Sequence, residues 1–351
     1  MKVLVCGGAG YIGSHTCVAL IEQGHEVVIY DNLCHGSLSA VDHIRQLSGA
    51  DVRFVQGDVR DKAALESVLS SGFDAVVHFA ALKIMSESCR LPLLYFDNNV
   101  AGTIALLQAM QATGVHRLVF SSTAAVYGDP DVVPIKEDAP LRACNPYSHT
   151  KLVMERLIQE LCEARPSFSA AILRYFNPAG AHPSGLMGED TGGVPSNLMP
   201  YVSQVAAGMQ DRLHVFGGDY PTRDGTGVRD YIHVMDLADA HTKALDVLRV
   251  GGCHVLNIGT GRGYSVLEVV SAFERISGRR VPYEIVDRRP GDVAEVWADP
   301  SHAQETLGWH AQHDLLRMCA DAWRWQSMHP HGYQSAQVIE LRQAMPSGSC
   351  R

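Results

Sequence analysis

The residues best suited to chemistry are Tyr147 and Lys151, four positions apart and introduced by Pro146. Proline favours a first helical position, so both fall at the start of one helix, and the i,i+4 spacing sets them on one face. That pairing has a chemical use. At an effective dielectric of about 20, an ammonium roughly 6 Å from a phenolate favours it by on the order of 3 kcal/mol, moving a phenol about two pH units below its ordinary value near 10. A phenol brought toward working pH is a general base for an alcohol. Upstream, Ser121-Ser122-Thr123 closes a predicted strand. The Thr123 hydroxyl then stands at a carboxyl strand end, where it can hydrogen-bond a reacting oxygen. An amphipathic helix carrying a chance Tyr and Lys is the plain alternative for an isolated Y-x-x-x-K.

A second constellation weighs against chance. Gly7-Gly8-Ala9-Gly10-Tyr11-Ile12-Gly13 follows the first apolar run and opens a helix. Gly7 and Gly10 allow a tight turn and close backbone approach, Gly13 allows close helix–strand packing, and the helix N-terminus accepts a pyrophosphate. Asp31 follows 18 residues after Gly13, at the end of the second predicted strand. A carboxylate there accepts both ribose hydroxyls and repels a 2′-phosphate, which favours NAD over NADP. Asp58, in Gln56-Gly57-Asp58-Val59, is placed to hydrogen-bond the adenine.

The elements that must hold these groups read as strands at Lys2–Cys6, Glu26–Tyr30, Val52–Gln56, Ala75–Phe79, Arg117–Ser121 and Ala170–Arg174. Helical spacing covers Gly13–Gln23, Lys62–Ser70, Tyr95–Thr113 and Ser148–Glu163. Strict alternation, with strands apolar on both faces, demands a parallel sheet covered by helices. The fold class is therefore α/β, a Rossmann-like doubly wound parallel sheet. From Asn177 the texture turns to Gly- and Pro-rich loops, including Pro178, Pro183, Gly185 and Gly188. We expect a NAD-binding domain at 1–176 and a smaller C-terminal substrate-binding α/β domain at 177–333. The boundary is soft and the chain is free to cross back, while 334–351 reads as a flexible tail.

Composition narrows the class. With 351 residues, 46% hydrophobic and 19% charged, the chain is a globular protein of enzyme size. Its net charge of −9 argues against a nucleic-acid partner, since a phosphate backbone needs a basic surface. The N-terminal MKVLVCGGAG breaks on glycine too early for a signal peptide or a spanning helix, and no later stretch spans a membrane. Nine cysteines form no C-x-x-C pair and read as reduced thiols, so a cytoplasmic location is expected. No metal site is expected.

The glycine loop, Asp31-Asn32, His78-Phe79-Ala80-Ala81-Leu82-Lys83, Asp97-Asn98-Asn99-Val100-Ala101-Gly102-Thr103, Tyr147-x-x-x-Lys151 and Arg174-Tyr175-Phe176-Asn177-Pro178 resemble the extended short-chain dehydrogenase/reductase superfamily. Asn197-Leu198-Met199-Pro200-Tyr201, Gly225 through Val234 and Arg289-Pro290-Gly291-Asp292 are similar to bacterial UDP-glucose 4-epimerases. The likeness runs to about Tyr333. It implies that NAD is held by Gly7, Gly10, Tyr11, Ile12, Gly13, Asp31, Asn32, Asp58 and Val59. Phe79, Ala80, Lys83, Asn98, Tyr147, Lys151 and Phe176 would complete that site. It further implies that the UDP-hexose meets Lys83, Thr123, Tyr147, Asn177, Asn197 and Leu198 on one side. His214, Phe216, Arg229, Arg289, Asp292 and Val296 would meet it on the other. Arginine forks and amides suit two phosphates and a uracil edge. Family members pair through helices like Tyr95–Thr113 and Ser148–Glu163, so a homodimer is expected.

In such enzymes the tyrosine takes the C4 proton while NAD accepts the hydride, and the 4-keto sugar turns over before reduction from its other face. A 4,6-dehydratase needs further acid–base groups after the threonine, and here Ala124 and Ala125 follow Thr123. A non-catalytic NAD sensor on the same fold is disfavoured by the intact Tyr147, Lys151 and Thr123. Cys6 stands where relatives carry threonine, and Thr123 where many carry serine. Val296 stands where epimerases restricted to glucose and galactose carry tyrosine. Either the lost ring leaves room for an N-acetyl group, or the neighbouring chain closes the gap.

Overall fold

The computed structural model describes residues 1–193, 195–289 and 291–333. The tail expected at 334–351 lies outside them. Among the described residues thirteen strands occur in chain order: β1 (Lys2–Cys6), β2 (Glu26–Asp31), β3 (Arg53–Gln56), β4 (Ala75–His78), β5 (Arg117–Ser121), β6 (Ser169–Tyr175), β7 (Asn177–Ala179), β8 (Leu213–Phe216), β9 (Val228–His233), β10 (Cys253–Ile258), β11 (Gly263–Ser265), β12 (Tyr283–Val286) and β13 (Glu295–Val296). Seven of them form one parallel sheet in the order β10-β6-β5-β4-β1-β2-β3.

Strand β1 shows why the sheet is covered on both faces. Val3 and Val5 point to one side, against Cys17 and Val18 of helix Tyr11–Glu22 and Leu237, Ala240 and Ala244 of helix Val234–Val247. Leu4 and Cys6 point to the other, among Leu106 and Met110 of helix Gly102–Thr113 and Ile158 of helix Pro146–Ala164. Each such apolar side chain taken from water contributes roughly 1.5–3 kcal/mol. Alternation of period two with both faces apolar is what the sequence displayed, and the doubly wound reading holds.

The last strand of the large sheet departs from chain order. After β9 and helix Val234–Val247, β10 returns beside β6, with Cys253 opposite Ala170 and Ile258 opposite Tyr175. The smaller unit collects β7, β9, β11 and β13 in one sheet and β8 with β12 in another. Its own core gathers Met199, Val202, Leu213, Val215, Tyr231, Phe273 and Met318.

Some expected boundaries shift. Tyr95–Thr113 is not one helix: a turn at Pro92–Tyr95 leads through a π-helical stretch, Phe96–Ala101, into helix Gly102–Thr113. Buried Asn99 accounts for the extra residue per turn. Its carboxamide accepts from the Leu82 nitrogen at 2.8 Å and donates to the Leu82 carbonyl and Thr150 hydroxyl, each at 3.0 Å. Pairing with three outside groups draws that turn off the ideal ladder. Helix Leu38–Ser48 had no sequence expectation.

Candidate active site

Helix Pro146–Ala164 starts where the sequence placed it because Asn145 and Ser148 cap one another. The Asn145 side chain accepts from the Ser148 nitrogen at 2.9 Å, and the Ser148 hydroxyl accepts from the Asn145 nitrogen at 3.2 Å. Tyr147 and Lys151, 8% and 2% exposed, therefore face the carboxyl ends of β5 and β6. The Thr123 hydroxyl lies beside the Tyr147 phenol, where it favours the ionised form. Lys151 Nζ donates to the Ser121 carbonyl at 2.7 Å and lies 5.0 Å from the centre of the Phe120 ring. Ser121 Oγ pairs with the Tyr175 hydroxyl at 2.7 Å.

The electrostatics correct one expectation. Burial pushes the Tyr147 phenol well above its usual range, and neighbouring Tyr175 and Tyr95 oppose its ionisation. Only the neighbouring Thr123 hydroxyl pulls it down. Burial also draws the Lys151 ammonium down to about 7, with the Glu155 carboxylate pulling it back. The sequence estimate gave the pair a half-wet dielectric and a permanent positive charge. Inside the protein both groups have lost water, so near neutrality the amine is itself close to half-charged.

On the cofactor side the glycines are required by space. Gly7 holds φ +82°, and a β-carbon there would stand 2.6 Å from the Ala80 nitrogen. One at Gly13 would stand 2.2 Å from the Gly7 carbonyl. The loop thus presses against the end of β4, where the Phe79 and Ala80 nitrogens donate to the Cys6 carbonyl at 2.8 and 3.1 Å. Asp31 takes the Ala9 nitrogen on one oxygen at 3.0 Å and the Leu33 nitrogen on the other at 2.8 Å. Each oxygen keeps acceptor capacity, as a ribose diol demands. Asn32 donates to Asp58 at 3.2 Å, and Arg60, 2.8 Å away, holds the Asp58 carboxyl far below the usual range. This set lies between β1 and β4, where the strand order reverses, the place such sheets bind ligands. A dinucleotide fits it.

Of the rest, Tyr11 donates to the Gly180 carbonyl at 2.7 Å, joining the glycine loop to the chain after β7. Ile12 packs on the sheet core and Val59 is buried in the opposite one. Asn98 donates to Asn99 at 2.9 Å, and Phe176 is buried. Lys83 stands 3.5 Å from Glu189, whose same oxygen accepts the Asn197 amide at 2.9 Å. Asn197 immediately precedes helix Leu198–Ala206 without a side-chain bond to it, and Asn177 opens β7 opposite Tyr231. Arg289 lies over the Phe216 ring at 3.7 Å, and exposed His214 sits two residues earlier on β8, opposite Glu284. The Asp292 nitrogen closes a turn on the Arg289 carbonyl at 3.1 Å. Arg229 spends one nitrogen on the Val228 carbonyl at 2.8 Å. Val296 pairs with it in register and packs with Tyr127 and Phe176.

Sequence reasoning missed Glu155, Arg174, Asn99 and Glu189 as parts of this neighbourhood. Glu155 and Asn99 carried a usable signal: a charge one turn past Lys151, and a polar residue inside an apolar helical run. Glu189 lies in a loop and carried none.

A parallel sheet with a glycine loop at its reversal point and a buried Tyr/Lys/Thr cluster at its carboxyl edge defines the extended short-chain dehydrogenase/reductase class. A family model described as GDP-mannose 4,6 dehydratase matches residues 4–322. The UDP-glucose 4-epimerase of Bacillus subtilis is 54% identical over 96% of this chain and 100% of its own. A crystal structure of UDP-glucose-4-epimerase from Stenotrophomonas maltophila, with bound NAD and formylated UDP-arabinopyranose, superposes with a TM-score of 0.93. It is 54% identical, and the match covers 94% of this chain and 99% of that one. The Bifidobacterium longum enzyme in complex with NAD+ and UDP gives a TM-score of 0.92 at 46% identity, over 95% and 100%. The chain belongs to the UDP-glucose 4-epimerase family.

Proposed function

We propose that this protein interconverts UDP-glucose and UDP-galactose, with Tyr147 as the base at the C4 hydroxyl. The observation that carries this is the burial of the Tyr147 phenol beside the Thr123 hydroxyl, one helical turn from a buried Lys151. Bound NAD supplies reversible oxidation at C4, and its oxidised ring supplies a positive charge. Gly7, Gly10, Tyr11, Ile12, Gly13, Asp31, Asn32, Asp58 and Val59 would hold it, with Phe79, Ala80, Lys83, Asn98 and Phe176. Thr123 orients the sugar hydroxyl toward Tyr147, which takes its proton and later returns it. Lys151 offers its charge to the phenolate, and the burial of both favours the pair over separate ions. Arg229, Arg289, Asn177 and Asn197 grip the nucleotide, with Leu198, His214, Phe216 and Asp292 completing the wall. The buried cluster excludes water from the oxidised sugar.

UDP-galactose turnover tests this, with Tyr147→Phe as control. We expect loss of at least about a hundredfold in kcat, and equal rates would remove the assignment. Val296, where a larger ring would fill the wall beside Phe176, supports turnover of UDP-GlcNAc as well. No conversion at about millimolar substrate would end that reading. Exposed Phe96, Ile104 and Val153 on the two expected pairing helices, with exposed Leu93 and Leu94 in the turn just before, support a homodimer. Sedimentation at monomer mass would refute it. Among the described residues no helix is long and apolar enough to cross a membrane. The unpaired spacing of the cysteines supports the cytoplasm as the location.

A further inference from the structure

Beneath the Tyr147 cluster lies a buried ionic assembly that the proposed chemistry does not use. Glu155, one turn past Lys151, is 1% exposed, and Arg174 on β6 is 3% exposed. Arg174 grips Glu155 with Nε at 3.1 Å from both carboxylate oxygens and a terminal nitrogen 2.7 Å from one. Its other terminal nitrogen donates to the Tyr127 hydroxyl and the Glu137 carbonyl, each at 3.0 Å. Tyr127 in turn donates to Asn257 of β10 at 2.7 Å. Fully buried Ser122, adjacent to Thr123, donates its hydroxyl to Glu155.

Such a pair is a poor device for stability alone. Desolvating two ions costs about as much as their attraction returns, and a pair of apolar residues would serve the core as well. Its placement explains it better. Ser122 and Tyr127 bracket the segment that presents Thr123, and Glu155 shares a helix face with Tyr147 and Lys151. We propose that Glu155, anchored by Arg174, is a positioning residue: it locks the Thr123 segment to the Tyr147 helix and supplies the negative charge that keeps the Lys151 amine protonated.

Among the charged groups of the described residues, the surroundings of Lys151 leave that role to Glu155. Tyr175 from β6 and Tyr95 from the turn Pro92–Tyr95 crowd the Tyr147 phenol, which lies on the same helix as Lys151. His78 of β4 is driven down by burial to about 3, which keeps it neutral at working pH. Among the described residues Glu155 is the one charged group whose field favours the charged amine, beside the Ser121 carbonyl and the Phe120 ring, and burial opposes it. The groups that face Glu155 itself are Arg174 and Tyr127, with Cys253 of β10 within its field.

The inference rests on the Tyr147–Lys151 reading, and its test separates the two. In the NAD-loaded enzyme, Glu155→Gln keeps the shape and removes the charge. We expect kcat for UDP-galactose to fall by at least about tenfold while KM stays within about threefold, because Glu155 lies behind the groups that meet substrate. Ser122→Ala, which breaks only the strand tie, should lower kcat without touching the lysine.

A second readout needs no turnover. The Tm of each protein minus that of its Lys151→Met derivative, followed between about pH 6 and pH 10, tracks the lysine proton. A lowered amine pKa means that the unfolded chain binds the extra proton, so this difference rises with pH from about 7 toward the unfolded value. Without the Glu155 charge the rise should begin about one pH unit lower. Should Glu155→Gln fail to fold, Glu155→Gln with Arg174→Met removes both buried charges and should move the rise in the same direction. An unmoved curve, an unchanged kcat, or a loss shared equally by KM overturns the proposal. A wild type that turns over no UDP-galactose defeats the functional reading and leaves the Tm test standing.

Discussion

At the scale of single residues, the site joins groups the sequence exposed with groups it concealed. Tyr147, Lys151 and Thr123 were legible because spacing and strand ends are one-dimensional facts. Their ionisation was not, because desolvation depends on what the fold stacks above them: Tyr95, Tyr175 and His78 come from three other elements. Val296 was legible as a missing ring. If the wall it lines with Phe176 and Tyr127 sets the size limit, Val296→Tyr should abolish UDP-GlcNAc turnover and leave UDP-galactose turnover within about threefold. Parallel assays on the two sugars check this. Equal loss on both would mean that the ring blocks the site as a whole.

At the scale of elements, the first six strands of the large sheet were readable within a residue or two, since continuous β-branched runs between turn signals leave few alternatives. Strand β10 was not. Cys253–Ile258 looks like any short apolar run, and only its pairing with β6 assigns it to the large sheet. The π-helical turn was also hidden, because its cause is Asn99 bonding to Leu82 and Thr150 across the structure. Asn99→Ala would strand the Leu82 backbone groups in a dry site, at a cost of about 2–4 kcal/mol, seen as a lower midpoint in urea with an unchanged slope. β9 carries a comparable knot. Asp230 accepts from Thr260 twice, from Gly261 and from Ala298, at 2.6 to 3.2 Å. Burial raises its carboxyl to about 6. A folded pKa above the unfolded one means that Asp230 costs stability at neutral pH and that the cost recedes as pH falls from 6 toward 4. Asp230→Ala should therefore flatten the pH dependence of Tm across that window, measured against wild type.

At the scale of the whole molecule, the second lobe was the least legible part. Its strands are two to six residues long, and its core assembles from helices far apart in sequence, such as Val266–Ser277 and Leu315–Met328. Helix Leu315–Met328 ties this lobe together. Asp321, buried on that helix, stands 3.2 Å from His233 at the end of β9 and 2.5 Å from Arg317. Asp321→Ala leaves buried His233 without its partner and should lower stability by about 2–3 kcal/mol, which calorimetry would register as a fall in Tm of several degrees.

The return of β10 constrains how the protein can be made. During synthesis, β6 is an open edge until residues 253–258 have left the ribosome, with its hydrogen-bonding groups and neighbouring apolar side chains facing solvent. A cofactor half cut at 176 is therefore a template for sticky self-association, and an autonomous module cannot be excised at that point. Shuffling this lobe into other proteins requires carrying a distant hexapeptide along, which ties the inheritance of one lobe to the other.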